Sequence, residues 1–248
     1  MSEPLVIFHH IPKTGGTTLL NAFREVYAHD EIFPAHGAAR SSDFIREAVG
    51  QMTEEQRSKI RFIHGHQVWY GIHTLFPQPA IYVTFVRNPL ARFVSLYFHV
   101  RRTPKQALHE AFMQRTLDEV AHDPVLSYPN HMTVYLSRTR VEGHNFEDCQ
   151  KVTLETLQAA LNNLQKFAFV GLQESFTSEV ERMNQVLPRK ITLKKSERVA
   201  PKNDAESFAS LPAETLQKVV RDNWADYAIY SWAVLQNRRH GPTGTQPA

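Results

Sequence analysis

The sequence predicts an α/β fold in which a central, mainly parallel sheet is flanked by helices. Apolar runs typical of buried strands alternate with amphipathic helical patterns, and two of these runs turn directly into a helix. The 248 residues, 42% of them hydrophobic, are enough to bury one large core. We therefore expect a single domain over residues 1–240, followed by a flexible tail over residues 241–248.

The first strand-to-helix turn follows a mostly aliphatic run over residues 5–11. After Pro12, two adjacent glycines lead into a predicted helix over residues 17–28. Glycines let the backbone approach an anion closely, and a helix N-terminus presents N–H groups together with the positive end of the dipole. The turn is therefore typical of a phosphate site, although a tight turn capped by a threonine would have the same glycines. The residues expected to bind the phosphate are Lys13, Thr14, Gly15, Gly16, Thr17 and Thr18.

The second turn follows a predicted strand over residues 81–86 and begins with Arg87. Asn88 is a good N-cap, and Pro89 suits the first turn of the helix that follows. Ser95 lies about two turns along that helix, on a polar stripe rather than on the apolar face. We expect Arg87 and Ser95 to bind a second phosphate of the same ligand.

The rest of the chain is predicted to be mainly helical. A polar connector leads from the first helix to a predicted strand over residues 61–70. Beyond the second turn, the spacing of apolar residues predicts a buried strand over residues 167–172. It also predicts helices over residues 105–122, 153–165, 176–186 and 212–236.

Charge and cysteine content limit the class of protein. Lys and Arg number 28 against 25 Asp and Glu, so bulk charge predicts neither a nucleic-acid nor a membrane partner. The single cysteine, Cys149, excludes an intrachain disulfide. Because the sequence contains neither a signal peptide nor an apolar run of membrane-spanning length, we expect a cytoplasmic protein.

The first turn differs from the phosphate loop of metal-dependent NTPases. In that motif the lysine follows the glycines, whereas here Lys13 precedes them. The strand that would supply a magnesium-binding aspartate ends instead in Arg87. Both departures disfavour a magnesium-dependent NTPase.

Three segments resemble the sulfotransferases that use 3'-phosphoadenosine 5'-phosphosulfate, most of all the carbohydrate group that includes heparan sulfate 2-O-sulfotransferase. Residues 10–18 are similar to that group's 5'-phosphosulfate loop, and residues 86–97 to its 3'-phosphate element. His64-Gly65-His66 resembles the His-Gly-His segment that carries the catalytic base. Residues 130–136 and 169–174 are weaker matches.

The resemblance implies a P-loop-like three-layer fold and a sulfotransferase activity. The donor would be 3'-phosphoadenosine 5'-phosphosulfate, with no metal, and the acceptor a hydroxyl group on a carbohydrate. His66 would be the general base beside His64, and Lys13 would stabilise the leaving phosphate. The phosphate loop would bind the 5'-phosphate and sulfate, and Arg87 and Ser95 the 3'-phosphate. A nucleotide kinase with an atypical loop and a non-catalytic nucleotide-binding protein are the alternatives, and the oligomeric state is left open.

Several histidines have more than one interpretation. In a single strand, His64 and His66 would point to the same face, which is also a metal-binding pattern, but the sequence nominates no third ligand. His9 and His10 face opposite sides of their strand, so at most one faces the site. For His10, a plain structural role is favoured over a role in positioning the ligand.

An aromatic pair and a basic run also have two interpretations each. Trp69 and Tyr70 form either an acceptor wall or part of the core. The densest basic run either covers the ligand or is a solvated face. It consists of Arg189, Lys190, Lys194, Lys195 and Arg198.

Overall fold

A computed structural model describes residues 3–35, 41–106, 108–138, 149–194 and 211–239. Its sheet has five strands in the order β2-β3-β1-β4-β5, and every adjacent pair is parallel. The strands are β1 (Leu5–His9), β2 (Ile32–Pro34), β3 (Phe62–Gly65), β4 (Ala80–Val86) and β5 (Phe169–Leu172). The predicted α/β class with a parallel sheet is confirmed, and the predicted tail over residues 241–248 lies outside the described residues.

Helices lie on both faces of the sheet. In the first half of the chain they are α1 (Gly16–Arg24), α2 (Ser42–Gly50), α3 (Glu54–Lys59), α4 (Pro89–Arg102), α5 (His109–Met113) and α6 (Leu117–His122). In the second half they are α7 (His131–Ser137), α8 (Leu154–Leu164), α9 (Phe176–Met183), α10 (Ala213–Asp222) and α11 (Trp224–Arg239).

Alternation of side chains along the strands produces two apolar layers. Val6 and Phe8 of β1 pack in one cluster with side chains of α1 and α9. Leu5 and Ile7 point to the opposite face and pack with side chains of α2. At the end of β4, Val86 joins a third cluster with α7, α8 and α11. The sheet is therefore the middle of three layers, as predicted.

Two predicted helices are each divided in two. The segment 105–122 is interrupted because Thr116 starts a new helix, in which its hydroxyl accepts the Glu119 N–H and the Glu119 carboxylate accepts the Thr116 N–H. The segment 212–236 is interrupted at Asn223, whose side-chain oxygen accepts the N–H of the distant Asn130. The spacing of apolar residues within each segment does not indicate either interruption.

Strand β2 was not predicted. Its three residues pair in parallel with β3, Ile32 opposite Phe62 and Phe33 opposite Ile63. Three residues are too few to produce a recognisable alternation, so the segment was interpreted as part of the polar connector.

The predicted strand over residues 61–70 is too long, because β3 ends at Gly65. Gly65 has a φ of 144°, and a Cβ there would lie 2.1 Å from the carbonyl oxygen of Ala35. Only glycine allows this close approach and the turn that follows. His66 therefore lies beyond the strand, and the expectation that it shares a strand with His64 is wrong.

The register brings the ends of three strands to one edge of the sheet. Phe8 of β1 lies between His64 of β3 and Val83 of β4. Thr84 Oγ1 donates a hydrogen bond of 2.8 Å to the His9 carbonyl and ties β4 to the end of β1. The segments that contain Lys13, His66 and Arg87 consequently leave the sheet side by side.

Candidate functional site

The loop between β1 and α1 has an unusual backbone. Lys13 and Gly15 have φ values of 71° and 89°, in the left-handed region. The buried Thr14 hydroxyl donates to the carbonyl of Ile11 over 2.9 Å and fixes the turn. A Cβ at Gly15 would lie 2.6 Å from a ring carbon of Phe176, so a side chain at this position is excluded by space as well as by φ.

The second glycine of the loop is required for a different reason. Gly16 is the first residue of α1, and a Cβ there would lie 1.7 Å from Nε2 of His10. The imidazole of His10 is thus packed directly against the first turn of the helix. The backbone conformation of the loop and the start of α1 together provide N–H donors of the kind that bind phosphate groups.

Arg87 connects the end of β4 to this loop. Its Nη1 donates to the carbonyl oxygen of Lys13 over 3.3 Å. As predicted, the Asn88 side chain caps α4, accepting the N–H groups of Leu90 at 3.1 Å and Ala91 at 3.2 Å. The Asn88 N–H donates to the carboxylate of Glu174 over 2.7 Å, which fixes the start of α4 against the segment after β5.

The second residue of the predicted 3'-phosphate pair lies deeper in the molecule. Ser95 is on α4, and 7% of it is exposed. The geometry brings Arg87 into contact with the loop, whereas Ser95 lies about two helical turns from the start of α4.

His66 follows directly after β3 and lies against His10. Its Nδ1 is 3.0 Å from the carbonyl oxygen of His10, and the two ring centroids are 4.2 Å apart. A carbonyl oxygen only accepts, so Nδ1 carries the hydrogen and the neutral ring has its lone pair on Nε2. The ring of Tyr135 lies edge-on to His66, with a centroid separation of 6.4 Å. This tautomer and this fixed orientation suit a proton acceptor.

His64, the neighbour of His66 in the motif, is a residue of the sheet. It is 1% exposed, and its ring stacks on that of Phe62 with a centroid separation of 5.4 Å. His66 lies beyond the end of β3, so the two side chains have different surroundings.

Burial keeps several histidines of the region uncharged. The pKa of His9 is lowered to about 3, mainly by burial and further by the charge of Arg138. Burial also lowers the pKa of His10 well below its ordinary value, and positive charge on His66 and His64 acts in the same direction. On α4, burial and the charge of Lys13 lower the pKa of His99. Burial therefore favours the neutral form of these three histidines.

A buried ion pair behind the site was not predicted. Arg92 of α4 and Asp226 of α11 are both 0% exposed, and Nε and Oδ2 are 4.0 Å apart. Arg92 also donates to the Tyr128 carbonyl and contacts His131 Nδ1, each at 3.1 Å. Arg92 lies three residues before Ser95, on the same polar stripe of α4, and this spacing is the one sequence signal for the network.

Burial and ion pairing place part of the aromatic pair and of the basic run. Trp69 is 1% exposed and belongs to the core, whereas Tyr70 is half-buried under Lys166, whose Nζ lies 4.8 Å from the ring centroid. In the basic run, Arg189 binds the carboxylates of Glu3 and Glu31, each at 2.7 Å. Lys194 pairs with Glu25 at 2.9 Å. Lys195 and Arg198 lie outside the described residues.

The described ranges contain neither a metal-type cluster nor a membrane-spanning helix. Within them, no group of three or more His, Cys, Asp or Glu side chains is arranged to hold a metal ion. None of the helices in those ranges is long and apolar enough to cross a membrane.

Comparison with known proteins gives a family match along most of the chain. Residues 2–233 match the model of the Sulfotransferase family. Heparin sulfate O-sulfotransferase of Drosophila melanogaster is 24% identical over 199 residues, 75% of this chain and 56% of that protein. Heparan sulfate 2-O-sulfotransferase 1 of Pongo abelii is 23% identical over 201 residues, with the same coverage of 75% and 56%.

Two further similarities are more limited. Heparan sulfate 2-O-sulfotransferase hst-2 of Caenorhabditis elegans is 27% identical over 107 residues, 40% of this chain and 33% of that protein. The chain thus spans between a third and somewhat over half of the length of these curated relatives. A solved sulfotransferase from Alicyclobacillus acidocaldarius aligns with a TM-score of 0.44 and 12% identity, over 90% of this chain and 96% of that one.

Proposed function

Since this chain belongs to the sulfotransferase family, we propose that it transfers a sulfuryl group from 3'-phosphoadenosine 5'-phosphosulfate to an acceptor hydroxyl. One observation carries the proposal: the glycine loop, His66 and Arg87 leave adjacent parallel strands at the same edge of the sheet. That edge is where open α/β sheets bind their ligands. A proton acceptor and two anion-binding elements are therefore available to one ligand.

The donor site is proposed to consist of the loop and the start of α4. Lys13 and the N–H groups from Gly15 to Thr18 bind the 5'-phosphate and sulfate, with the hydroxyls of Thr17 and Thr18 at the start of the helix. Arg87 and Ser95 bind the 3'-phosphate. The contact of Arg87 with the Lys13 carbonyl supports this assignment, because it places a guanidinium within reach of the same ligand as the loop.

His66 is proposed as the general base. The acceptor oxygen bonds to sulfur as the bond between sulfur and the bridging phosphate oxygen breaks. The hydroxyl proton passes to Nε2 of His66, and the electron pair of the broken bond remains on the phosphate of adenosine 3',5'-bisphosphate. The hydrogen bond from Nδ1 to the His10 carbonyl supports this role, because it leaves Nε2 as the basic nitrogen and accommodates the imidazolium that forms.

Lys13 is proposed to stabilise the charge that develops on the leaving oxygen. His64, buried beside Phe62, is proposed to support the base through the sheet rather than by direct contact with the acceptor.

The acceptor is proposed to be a carbohydrate. The names of three relatives, from Caenorhabditis elegans, Drosophila melanogaster and Pongo abelii, describe enzymes that act on heparan or heparin sulfate. Contacts with the acceptor determine which position is sulfated and how long the glycan is. A screen of acceptors can identify both.

Calorimetry with nucleotides tests the proposal before the acceptor is known. We expect adenosine 3',5'-bisphosphate to bind at least about tenfold more tightly than ATP, without magnesium, because one extra charge-assisted phosphate contact is worth about 1.5–3 kcal/mol. A panel of glycans and simple alcohols, incubated with the labelled sulfate donor, then identifies the acceptor. Tight ATP binding that requires magnesium, with no binding of the bisphosphate, would favour the kinase alternative and contradict the proposal.

A further inference from the structure

His10 joins the phosphate loop to His66. Its ring stacks on Phe8 at a centroid separation of 5.2 Å and an interplanar angle of 14°. The ring of His66 also lies against it, with a centroid separation of 4.2 Å and an interplanar angle of 37°. Its edge faces Gly16, where there is no room for a Cβ beside Nε2. The side chain therefore touches both the loop proposed to hold the donor and the residue proposed as base.

The backbone of His10 makes a separate contact with the same partner. Its carbonyl oxygen accepts the hydrogen bond from Nδ1 of His66. One residue thus sets both the tautomer of His66, through the backbone, and the plane of its ring, through the side chain. Sequence spacing does not reveal this, because His10 and His66 follow the ends of two different strands, β1 and β3.

The charge state of His10 suits this position. Burial is the main cause that holds its pKa well below the ordinary value, followed by charges on His66, His64, His9 and Lys13. A neutral imidazole can lie beside His66 while His66 gains a proton. A charged one would repel both the imidazolium and Lys13.

We propose that His10 is a positioning residue that holds the His66 imidazole at a fixed distance and orientation from the phosphate loop. This inference rests on the proposed function and deepens it. In the absence of the ring, His66 retains the backbone hydrogen bond but loses its flat neighbour, and the space beside Gly16 opens. Proton transfer from an acceptor hydroxyl requires hydrogen-bond geometry, so a displacement of the base by about 1 Å costs about 100-fold in rate.

His10→Ala tests the role of the ring. We expect kcat to fall about 10- to 100-fold while the Kd for adenosine 3',5'-bisphosphate and the acceptor KM change less than about threefold. Nitrogen-15 NMR gives an independent signature: the His66 ring keeps its proton on Nδ1 in both proteins, because the bond to the carbonyl of residue 10 remains, but relaxation of the ring nitrogens shows greater ring motion in His10→Ala. His73→Ala is the matched control, because it removes a half-buried histidine that bonds the Tyr82 hydroxyl and contacts neither the loop nor His66.

Gly16→Ala tests the contact between His10 and the loop by changing the loop residue. Its Cβ collides with His10, so we expect weaker binding of the bisphosphate together with a lower kcat. In the double variant with His10→Ala the collision is absent. Affinity for the bisphosphate therefore returns to within about threefold of wild type while kcat stays low, a non-additivity that independent sites do not show.

Two results would overturn the inference: wild-type kcat and an unchanged mobility of the His66 ring in His10→Ala, or a loss of bisphosphate affinity as large as the loss of kcat. A wild-type protein that transfers no sulfuryl group to any acceptor would instead refute the proposed function. In that case the mobility of the His66 ring and the double-variant affinities still decide whether His10 positions His66.

Discussion

Arg92 and Asp226 form an ion pair that is completely removed from solvent, with Nε and Oδ2 4.0 Å apart. Asp226 also accepts the N–H groups of Met132 at 3.0 Å and Thr133 at 2.7 Å, so it caps α7 from a separate helix. Burial raises the pKa of Asp226, and the positive charge of Arg92 opposes that effect. The pair therefore links α4, which carries Ser95, to α7, whose Tyr135 lies against His66.

Asp226→Asn should destabilise the fold strongly. The substitution leaves the Arg92 guanidinium buried without its counter-charge, which costs about 3–5 kcal/mol in comparable buried pairs. Urea unfolding of the variant and wild type measures the difference. Asp222→Asn is the control, because this carboxylate is partly exposed in its ion pair with Lys218, and we expect a loss below about 1 kcal/mol. Equal stability of the Asp226 variant and wild type would show that the pair does not hold these helices together.

Acid should destabilise the protein through His9. The folded pKa of about 3 lies below the ordinary value of 6.5, so between these two values the unfolded chain binds more protons than the folded one. The free energy of unfolding should therefore fall as the pH is lowered, by about 2 kcal/mol between pH 7 and pH 5 from this group alone.

Urea unfolding over this pH range, with wild type and His9→Asn, measures that contribution. We expect the variant to lose less stability than wild type between pH 7 and pH 5, while the exposed His29→Asn retains the full dependence. Parallel curves for His9→Asn and wild type would remove His9 as the cause.

Arg87→Ala should act on the 3'-phosphate selectively. We expect affinity for adenosine 3',5'-bisphosphate to fall about 10- to 100-fold, the value of one charge-assisted hydrogen-bonding group. Affinity for adenosine 5'-phosphosulfate, which has no 3'-phosphate, should change less than about threefold if Arg87 acts there alone. Arg221→Ala, whose side chain is 73% exposed, is the control for removal of an arginine. An equal loss for both nucleotides would place Arg87 at the loop instead, through its contact with the Lys13 carbonyl.

Local signals predicted the parts of the fold that local interactions determine. Asn88 and Pro89 marked the start of α4 correctly because capping involves only adjacent residues. The two glycines of the loop indicated an anion site, but the reason for Gly16 is the imidazole of His10, which sequence alone does not place there.

Contacts between residues that are far apart in the sequence could not be predicted from it. Asp226 caps α7 and Asn223 accepts the Asn130 N–H, and each interaction exists only after the helices have packed. The turn at Gly65 depends likewise on the approach of Ala35, which directly follows β2. This turn ends β3 early and places His66 at the edge of the sheet rather than within it.

The most direct test of the central claim is the rate at which His66→Ala converts 3'-phosphoadenosine 5'-phosphosulfate to adenosine 3',5'-bisphosphate in the presence of an acceptor that the wild type sulfates. We predict a loss of at least about 100-fold, since a positioned general base contributes about 10²- to 10⁴-fold, with bisphosphate affinity unchanged in calorimetry. Turnover by His66→Ala at the wild-type rate would contradict the account.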